Sequence, residues 1–520
     1  MNKIPELPTR VVDIGLPGTQ SLPRVFISHG TKADYIALSH CWGGRIESVL
    51  TTKTYHDYQQ ALPISEISAN FQDTFRIARE LGIQYVWIDS LCIIQDSKED
   101  WEIESSKMGA VYRNATLTVS ALVSPKSTAG ILENNDNRYT GAPKSVKIQI
   151  YEDSSKDEEV EVDWKPQDEE NLRGLMLDCA LTSRGWTLQE YVLSPRNLFY
   201  GARQIYWRCP SMMISADNTP EGNQFPHKHF QKASEAIYSD ILAAPAKIDI
   251  LAVLEDYYEL AEMYSARQLT YGSDKFAAFS GIAQMIHPSI GGKYLAGLWT
   301  VDFKHGLLWY AEMAFCRHVK SHGAPSWSWM VTDAPILFSP LRIFETTPFD
   351  VKIHQYIGIS QDAVKQFGQI KSPSVVLEGR TMPLIRSNQY VRAHSRDDLV
   401  IGDAYYDEPF SADDNGAGTS ILAIDDQVLG QAILSLHADP GTDDIAADST
   451  LFQEDNLLVL LVQADENVDN EREPTFGEGI ILRPLKHDQE DVYERTGYVS
   501  FWRPSMDYFR GWGSKPLKIV

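Results

Sequence analysis

Cysteine is scarce in this sequence, with five in 520 residues, at positions 41, 92, 179, 209 and 316. No two stand as C-x-x-C, which excludes a disulfide framework and argues against a structural zinc site. Long apolar runs are missing too: the longest, residues 457–462, is far short of the ~20 that span a bilayer. Residues 1–6 lack the apolar core of a signal peptide. Basic charge is in deficit, with 47 Lys and Arg against 71 Asp and Glu and a net charge of −24. A surface so acidic argues against a nucleic-acid backbone or an anionic membrane as main partner, but leaves room for a local basic pocket for a phosphate-bearing small molecule. No G-x-G-x-x-G follows a strand, and neither G-x-x-x-x-G-K-[ST] nor G-x-S-x-G occurs. The one close histidine pair, His227 and His229, sits in polar sequence without a carboxylate or cysteine at ligand spacing and reads as a solvated loop. These absences describe a soluble, reduced, cytoplasmic protein without a metal or a resident cofactor.

What is present is a globular composition, 43% hydrophobic and 11% aromatic, on a chain long enough for two to four domains. Residues 35–39 are a short apolar run that ends in His40-Cys41-Trp42-Gly43-Gly44, a strand entering a loop. Residues 73–81 carry Phe75, Ala78 and Leu81 at helical spacing, with Gly82 as the stop. Tyr85-Val86-Trp87-Ile88 is apolar without alternation, as in a strand buried on both faces. Residues 101–112 read as one helix, 116–122 and 197–207 as strands, and 183–193 as a helix stopped by Pro195. Alternating strands and helices predict a parallel α/β sheet. Residues 124–178 interrupt it as a polar surface insertion, open to forming a hairpin, with an acidic stretch at 152–159. The expected organisation is an α/β domain over 1–230, a helical segment over 231–325, and a β-rich region over 326–520. Trp327 and Trp329 read as alternating core positions on a strand.

Three clusters carry chemistry. Leu38-Ser39-His40-Cys41-Trp42-Gly43 and Trp87-Ile88-Asp89-Ser90-Leu91-Cys92 both leave strands at what a parallel sheet makes a common carboxyl edge, where open α/β sheets bind ligands. The third is Ser183-Arg184-Gly185-Trp186-Thr187-Leu188-Gln189-Glu190. Trp186 and Glu190, four apart, share a helix face. Bland readings stand beside these. Thr187-x-x-Glu190 fits a capping box, Trp186 fits plain core, and Asp89 can hold a ribose hydroxyl or cap the next turn. His40 and Cys41, adjacent on a strand, point to opposite faces, so Cys41 reads as buried and inert, as does Cys92.

In its phrases 35–43, 85–96, 101–115 and 183–190 the chain resembles the fungal heterokaryon incompatibility (HET) domain proteins. Leu295-Ala296-Gly297-Leu298-Trp299 and Ala324-Pro325-Ser326-Trp327-Ser328-Trp329 resemble phrases that follow that domain. HET domains are in turn similar to TIR domains, a flavodoxin-like fold whose enzymatic members cleave NAD at the nicotinamide–ribose bond, with a glutamate four residues after a tryptophan. The resemblance implies Glu190 as catalytic carboxylate; this chain departs in having Thr187 where those enzymes have cysteine. It implies NAD as substrate rather than cofactor, and the chemistry and placement of Trp186, Asp89, Arg184, Ser39, His40 and Trp42 make them the substrate-binding candidates. It also implies self-association, a partner protein of incompatibility, and a role in self/non-self recognition and cell death. A non-enzymatic signalling scaffold and an enzyme for another small molecule are the other readings, because fold does not fix reaction.

Overall fold

The computed structural model describes residues 4–16, 18, 21–132, 144–150, 158–164, 170, 172–210, 212–216, 249–311, 319, 322–339, 349–358, 367–368, 373–383, 402–406, 418–424, 427–434, 458–464, 476–485, 491–502 and 512–520. His227, His229, Cys316 and residues 152–157 of the acidic stretch lie outside the described residues. The chain forms two compact units, Met1–Pro226 and His227–Val520.

The first unit runs β1 (Arg10–Asp13), β2 (Arg24–Ile27), β3 (Tyr35–Ser39), α1 (Tyr55–Gln60), α2 (Ala69–Glu80), β4 (Tyr85–Trp87), α3 (Asp89–Cys92), α4 (Lys98–Ser105), α5 (Met108–Asn114), β5 (Leu117–Ser120), β6 (Lys144–Ile150), β7 (Glu158–Trp164), α6 (Leu172–Asp178), α7 (Trp186–Leu193), β8 (Asn197–Tyr200), β9 (Ile205–Cys209) and β10 (Met212–Ser215). Eight strands form one sheet in the order β10-β9-β8-β5-β3-β4-β1-β2. Its centre, β4-β3-β5-β8, is parallel. The expected parallel sheet is thus present as the core, and antiparallel strands flank it on both sides. Connections as short as those from β8 to β9 and β9 to β10 permit only hairpins, since a parallel return needs a crossover of a dozen residues or more.

The central strands are buried along nearly all of their length, with apolar side chains broken only by Ser39, Thr118, Ser120 and Asn197. Tyr35 of β3 donates its hydroxyl hydrogen to the Val111 carbonyl of α5 at 2.5 Å. His40, just beyond β3, sets its ring edge-on to Phe71 of α2. Alternation along the strand puts these two contacts on opposite faces.

Two further expectations change. Residues 101–112 are two helices, α4 and α5. Ser105 and Ser106 turn their hydroxyls onto the carbonyls of Glu102 and Ile103 at 3.3 and 2.7 Å, competing with the helix ladder. Residues 197–207 are β8 and the start of β9, because the Glu170 carboxylate takes the amides of Ala202, Arg203 and Gln204 at 2.8–3.1 Å and closes a turn there. Within the segment read as an insertion, β6 and β7 pair as an antiparallel hairpin.

The second unit has two longer helices, Ile250–Ser265 and Ala277–Ile290, and is β-rich toward its end. Strand 374–383 pairs with 458–464, that with 476–484, that with 492–502, and that in parallel with 513–519, which returns to 374–383. The ladder closes on itself, as in a small barrel filled by side chains. Trp327 and Trp329 are buried, but in a turn and at the start of a short 3-10 helix, not on a strand. The Trp329 indole donates to the Gly297 carbonyl at 3.0 Å and the Ser328 hydroxyl bonds the Ala296 carbonyl, so the two tryptophan-rich phrases meet in one core.

Candidate functional site

The chain enters the parallel core at β3, adds β4 on one side, then crosses to add β5 and β8 on the other. The order reverses between β3 and β5, and a crevice opens at the carboxyl ends of strands that part in this way. Ser39 ends β3 and Ser120 ends β5. The Ala121 amide still bonds the Ser39 carbonyl at 3.0 Å, so the edge is fixed to the last residue.

Helix α7 lies over this edge. Its start is built by Thr187, whose hydroxyl contacts the carbonyls of Leu181 and Arg184 at 2.7 and 2.8 Å. Gly185 is the N-cap residue and no side chain caps the helix, so the Thr187–Glu190 spacing is not a capping box. Glu190 instead points inward. Its side chain is buried, with the hydroxyls of Ser39 of β3 and Tyr112 of α5 near enough to favour its charged form. Burial is the main force on its acidity and raises it to about 7; the Asp89 charge acts in the same direction, while Arg184 and the two hydroxyls oppose.

Around Glu190 stand half-buried groups. Arg184 donates to the His40 carbonyl, which fixes the guanidinium beside the carboxyl. Trp186, one turn before Glu190, meets Trp101 of α4 edge-on at 6.4 Å. The Trp42 indole donates to Asp89 at 2.8 Å, and the other Asp89 oxygen takes the Ser90 amide at 2.7 Å. Asp89 is therefore tied at both oxygens, as a turn-forming residue and as the partner of Trp42.

The structure thus gathers Ser39, Arg184 and Asp89 around Glu190, keeps Trp186 on its helix, and links Trp42 through Asp89. The His40 ring packs on the other face of the sheet. Burial lowers its pKa to about 4, so it is a neutral imidazole, and its Nε2 is buried without a hydrogen-bond partner among the described residues. Cys41 packs in an apolar cluster with Leu122, Leu172, Leu181, Phe199 and Tyr206. Burial raises its thiol, and raises that of Cys92 to about 12, which suits neither to nucleophilic work. Tyr112 and Trp101 were legible only as the apolar side of a helix. A tyrosine among buried positions still needs a hydroxyl partner, and that requirement was the available signal for Tyr112.

One close approach shapes the rim. Gly43 has φ +64°, and a Cβ there would stand 2.1 Å from the Lys126 Cβ and 2.5 Å from the Pro125 carbonyl oxygen. The Ser127 amide bonds the Trp42 carbonyl at 3.1 Å, so segment 125–127 lies against the Trp42 loop. Among the described residues, no cluster of three His, Cys, Asp or Glu is placed to hold a metal ion. Among the same residues, no helix is long and apolar enough to cross a membrane.

Residues 35–190 match the model of the family described as Heterokaryon incompatibility protein (HET). The matched span begins at the first residue of β3 and ends at Glu190. No curated protein and no solved structure matches the chain.

Proposed function

We propose, from the match of residues 35–190 to the family described as Heterokaryon incompatibility protein (HET), that the first unit is a TIR-like NAD glycohydrolase. It cleaves the nicotinamide–ribose bond to give nicotinamide and ADP-ribose or a related product, in cytoplasmic self/non-self recognition and cell death. The observation that carries the reading is the single carboxyl of Glu190, buried at the carboxyl edge of the parallel strands where their order reverses, with Arg184 beside it. The order of the parallel strands supports the TIR-like, flavodoxin-like assignment.

The chemistry asks little more. Loss of nicotinamide builds positive charge on the ribose, and a carboxylate held close stabilises that oxocarbenium-like state. Nicotinamide is cationic in NAD and leaves neutral, so no general acid is needed. Trp186 supplies an aromatic wall for the pyridinium, and Trp42 a second. Arg184 meets a phosphate, while Asp89 offers an acceptor to a ribose hydroxyl. Ser39 orients Glu190, and His40 contributes through the carbonyl that holds Arg184. Self-association completes the site, and an incompatibility partner supplies the trigger.

The test is nicotinamide release from NAD by purified full-length chain and by Glu190→Gln, over a concentration series, with melting curves of both. Release that rises steeply with concentration and vanishes in a folded Glu190→Gln chain is expected. Release that survives the substitution overturns the assignment of Glu190. A wild-type chain silent at every concentration favours the signalling scaffold.

A further inference from the structure

The second unit buries a chain of polar groups that the proposed reaction does not use. His305, in the short helix Phe303–Gly306, has a buried ring whose Nε2 lies 2.5 Å from the Ser339 carbonyl oxygen. A carbonyl carries no hydrogen, so Nε2 is the donor. Nδ1 stands 3.4 Å from Oδ2 of half-buried Asp302, an ion-pair contact rather than a hydrogen bond. The same Asp302 oxygen takes the Tyr258 hydroxyl at 2.7 Å. Both ring nitrogens of His305 therefore face acceptors, the pattern of an imidazolium; a neutral ring would set the Nδ1 lone pair against the carboxylate.

Ser339 carries the chain onward. Its hydroxyl meets the Glu478 carboxyl at 2.6 Å, and Tyr498 and the Gln463 Nε2 bond that carboxyl too. Glu478 is fully buried. Among the described residues no Lys or Arg is paired with it, and the positive charge that acts on it is that of His305. Tyr258 belongs to the helix Ile250–Ser265, whereas Gln463, Glu478 and Tyr498 stand on three successive strands of the barrel. The polar chain thus joins the helices of this unit to its barrel.

We propose that His305 is the protonated pin of a pH-operated joint: its imidazolium holds the helices to the barrel, and loss of its Nδ1 proton to solvent loosens the barrel at Glu478. Without that charge Glu478 is a buried carboxylate with no compensation, and breaking such a pair from one side is strongly destabilising. Burial by itself lowers the pKa of His305, but Asp302, the Ser339 carbonyl and Glu478 outweigh it and hold the ring above its ordinary 6.5. A pKa higher in the folded chain than in the unfolded one gives stability that is complete below pH 6.5 and is lost as pH rises through the folded value. Burial raises Glu478 above its ordinary 4.5, so its titration acts in the same sense. The other titratable groups nearby are Tyr258, which burial keeps protonated, Tyr498, Glu262, which accepts the Phe338 amide at 2.8 Å, and Lys304, which lies over the Phe349 ring.

Two measurements on the full chain test this, and neither involves NAD. In the first, isotope-labelled histidine ring nitrogens are followed by NMR against pH, with His305 assigned by difference from His305→Gln. Two protonated nitrogens at about pH 6 and a midpoint above 6.5 are expected; a ring neutral at the lower pH overturns the pin. Glu478→Gln removes one negative charge and lowers that midpoint by roughly one unit, and an unmoved midpoint overturns the pairing. The second reads hydrogen exchange of strand 476–484 below and above the wild-type midpoint, corrected for the intrinsic rise of exchange with pH. A several-fold loss of protection above the midpoint is expected in wild type and is absent from a folded His305→Gln chain. Equal protection on both sides in wild type, or a loss that persists in the variant, overturns the joint.

Discussion

Trp42 and Asp89 are 47 residues apart in sequence and joined by an indole-to-carboxylate hydrogen bond of 2.8 Å. The bond ties the loop after β3 to the start of α3, the two segments that flank the candidate crevice on its β4 side. It also sets the free direction of Asp89, since the Ser90 amide holds the second oxygen.

Trp42→Phe keeps an aromatic ring and removes only that donor. Asp89 is half-buried and regains water, so the stability cost is about 1 kcal/mol. On the proposed reaction, KM for NAD rises several-fold while kcat changes little, because the lost group positions substrate rather than the developing charge. Steady-state kinetics with a melting curve decide this; a fall in kcat with KM unchanged contradicts the role.

Glu190 makes stability depend on pH with a defined sign. Its pKa is about 7 in the folded chain against an ordinary 4.5, so between those values the folded state holds more protons than the unfolded one. Stability is highest below about pH 4.5, falls as pH rises to about 7, and levels off above. The loss is about 3 kcal/mol over that window. Denaturant midpoints of wild type and Glu190→Gln diverge across it, and the substituted chain gains relative to wild type toward alkaline pH. Parallel curves contradict a carboxyl titrating near neutrality.

Gly43→Ala forces backbone apart. Its φ of +64° already disfavours a side chain, and the new Cβ overlaps segment 125–126, including backbone atoms that cannot swing aside. The expected loss is about 2–4 kcal/mol, together with displacement of Trp42. Gly44→Ala is the control: φ is +123° with nothing within 4 Å among the described residues, so it carries backbone strain without the clash. Equal denaturant midpoints for the two variants contradict the close approach.

Buried Arg10 and half-buried Asp100 form an ion pair. The guanidinium reaches both Asp100 oxygens at 2.6 and 2.8 Å, and its Nε reaches the Cys92 carbonyl. Asp100 also takes the Ile94 amide at 2.8 Å. Asp100→Asn alone leaves the buried Arg10 without its counter-charge and costs about 3 kcal/mol, and Arg10→Met, which leaves the half-buried Asp100, costs less. The double variant costs less than the two added together, by 1 kcal/mol or more. Additive losses in a double-mutant cycle show that the two do not act as a pair.

Strand β3 is legible in the sequence to the residue, and β4 nearly so, because a strand covered on both faces is mostly apolar without alternation. Helix α2 is legible for the matching reason, a repeat that places Phe75 and Ala78 on one side and ends at Gly82. The four-residue spacing of Trp186 and Glu190 likewise puts them on one face before any fold is known. Such features depend on neighbours along the chain, and local periodicity records them.

The tertiary structure decided the rest. Short flanking strands such as β1 and β10 have too few residues to show a period, and the turn after β8 exists because Glu170, more than thirty residues earlier, accepts its amides. Thr187 and Glu190 have the spacing of a capping box, yet α7 starts so that Glu190 faces β3 and α5. Whether that carboxyl is solvated and always charged, or buried and poised near neutrality, depends on Ser39, Tyr112, Asp89 and Arg184 arriving from four separate segments. Burial and charge act through space, and no local pattern in a sequence encodes which distant groups will meet.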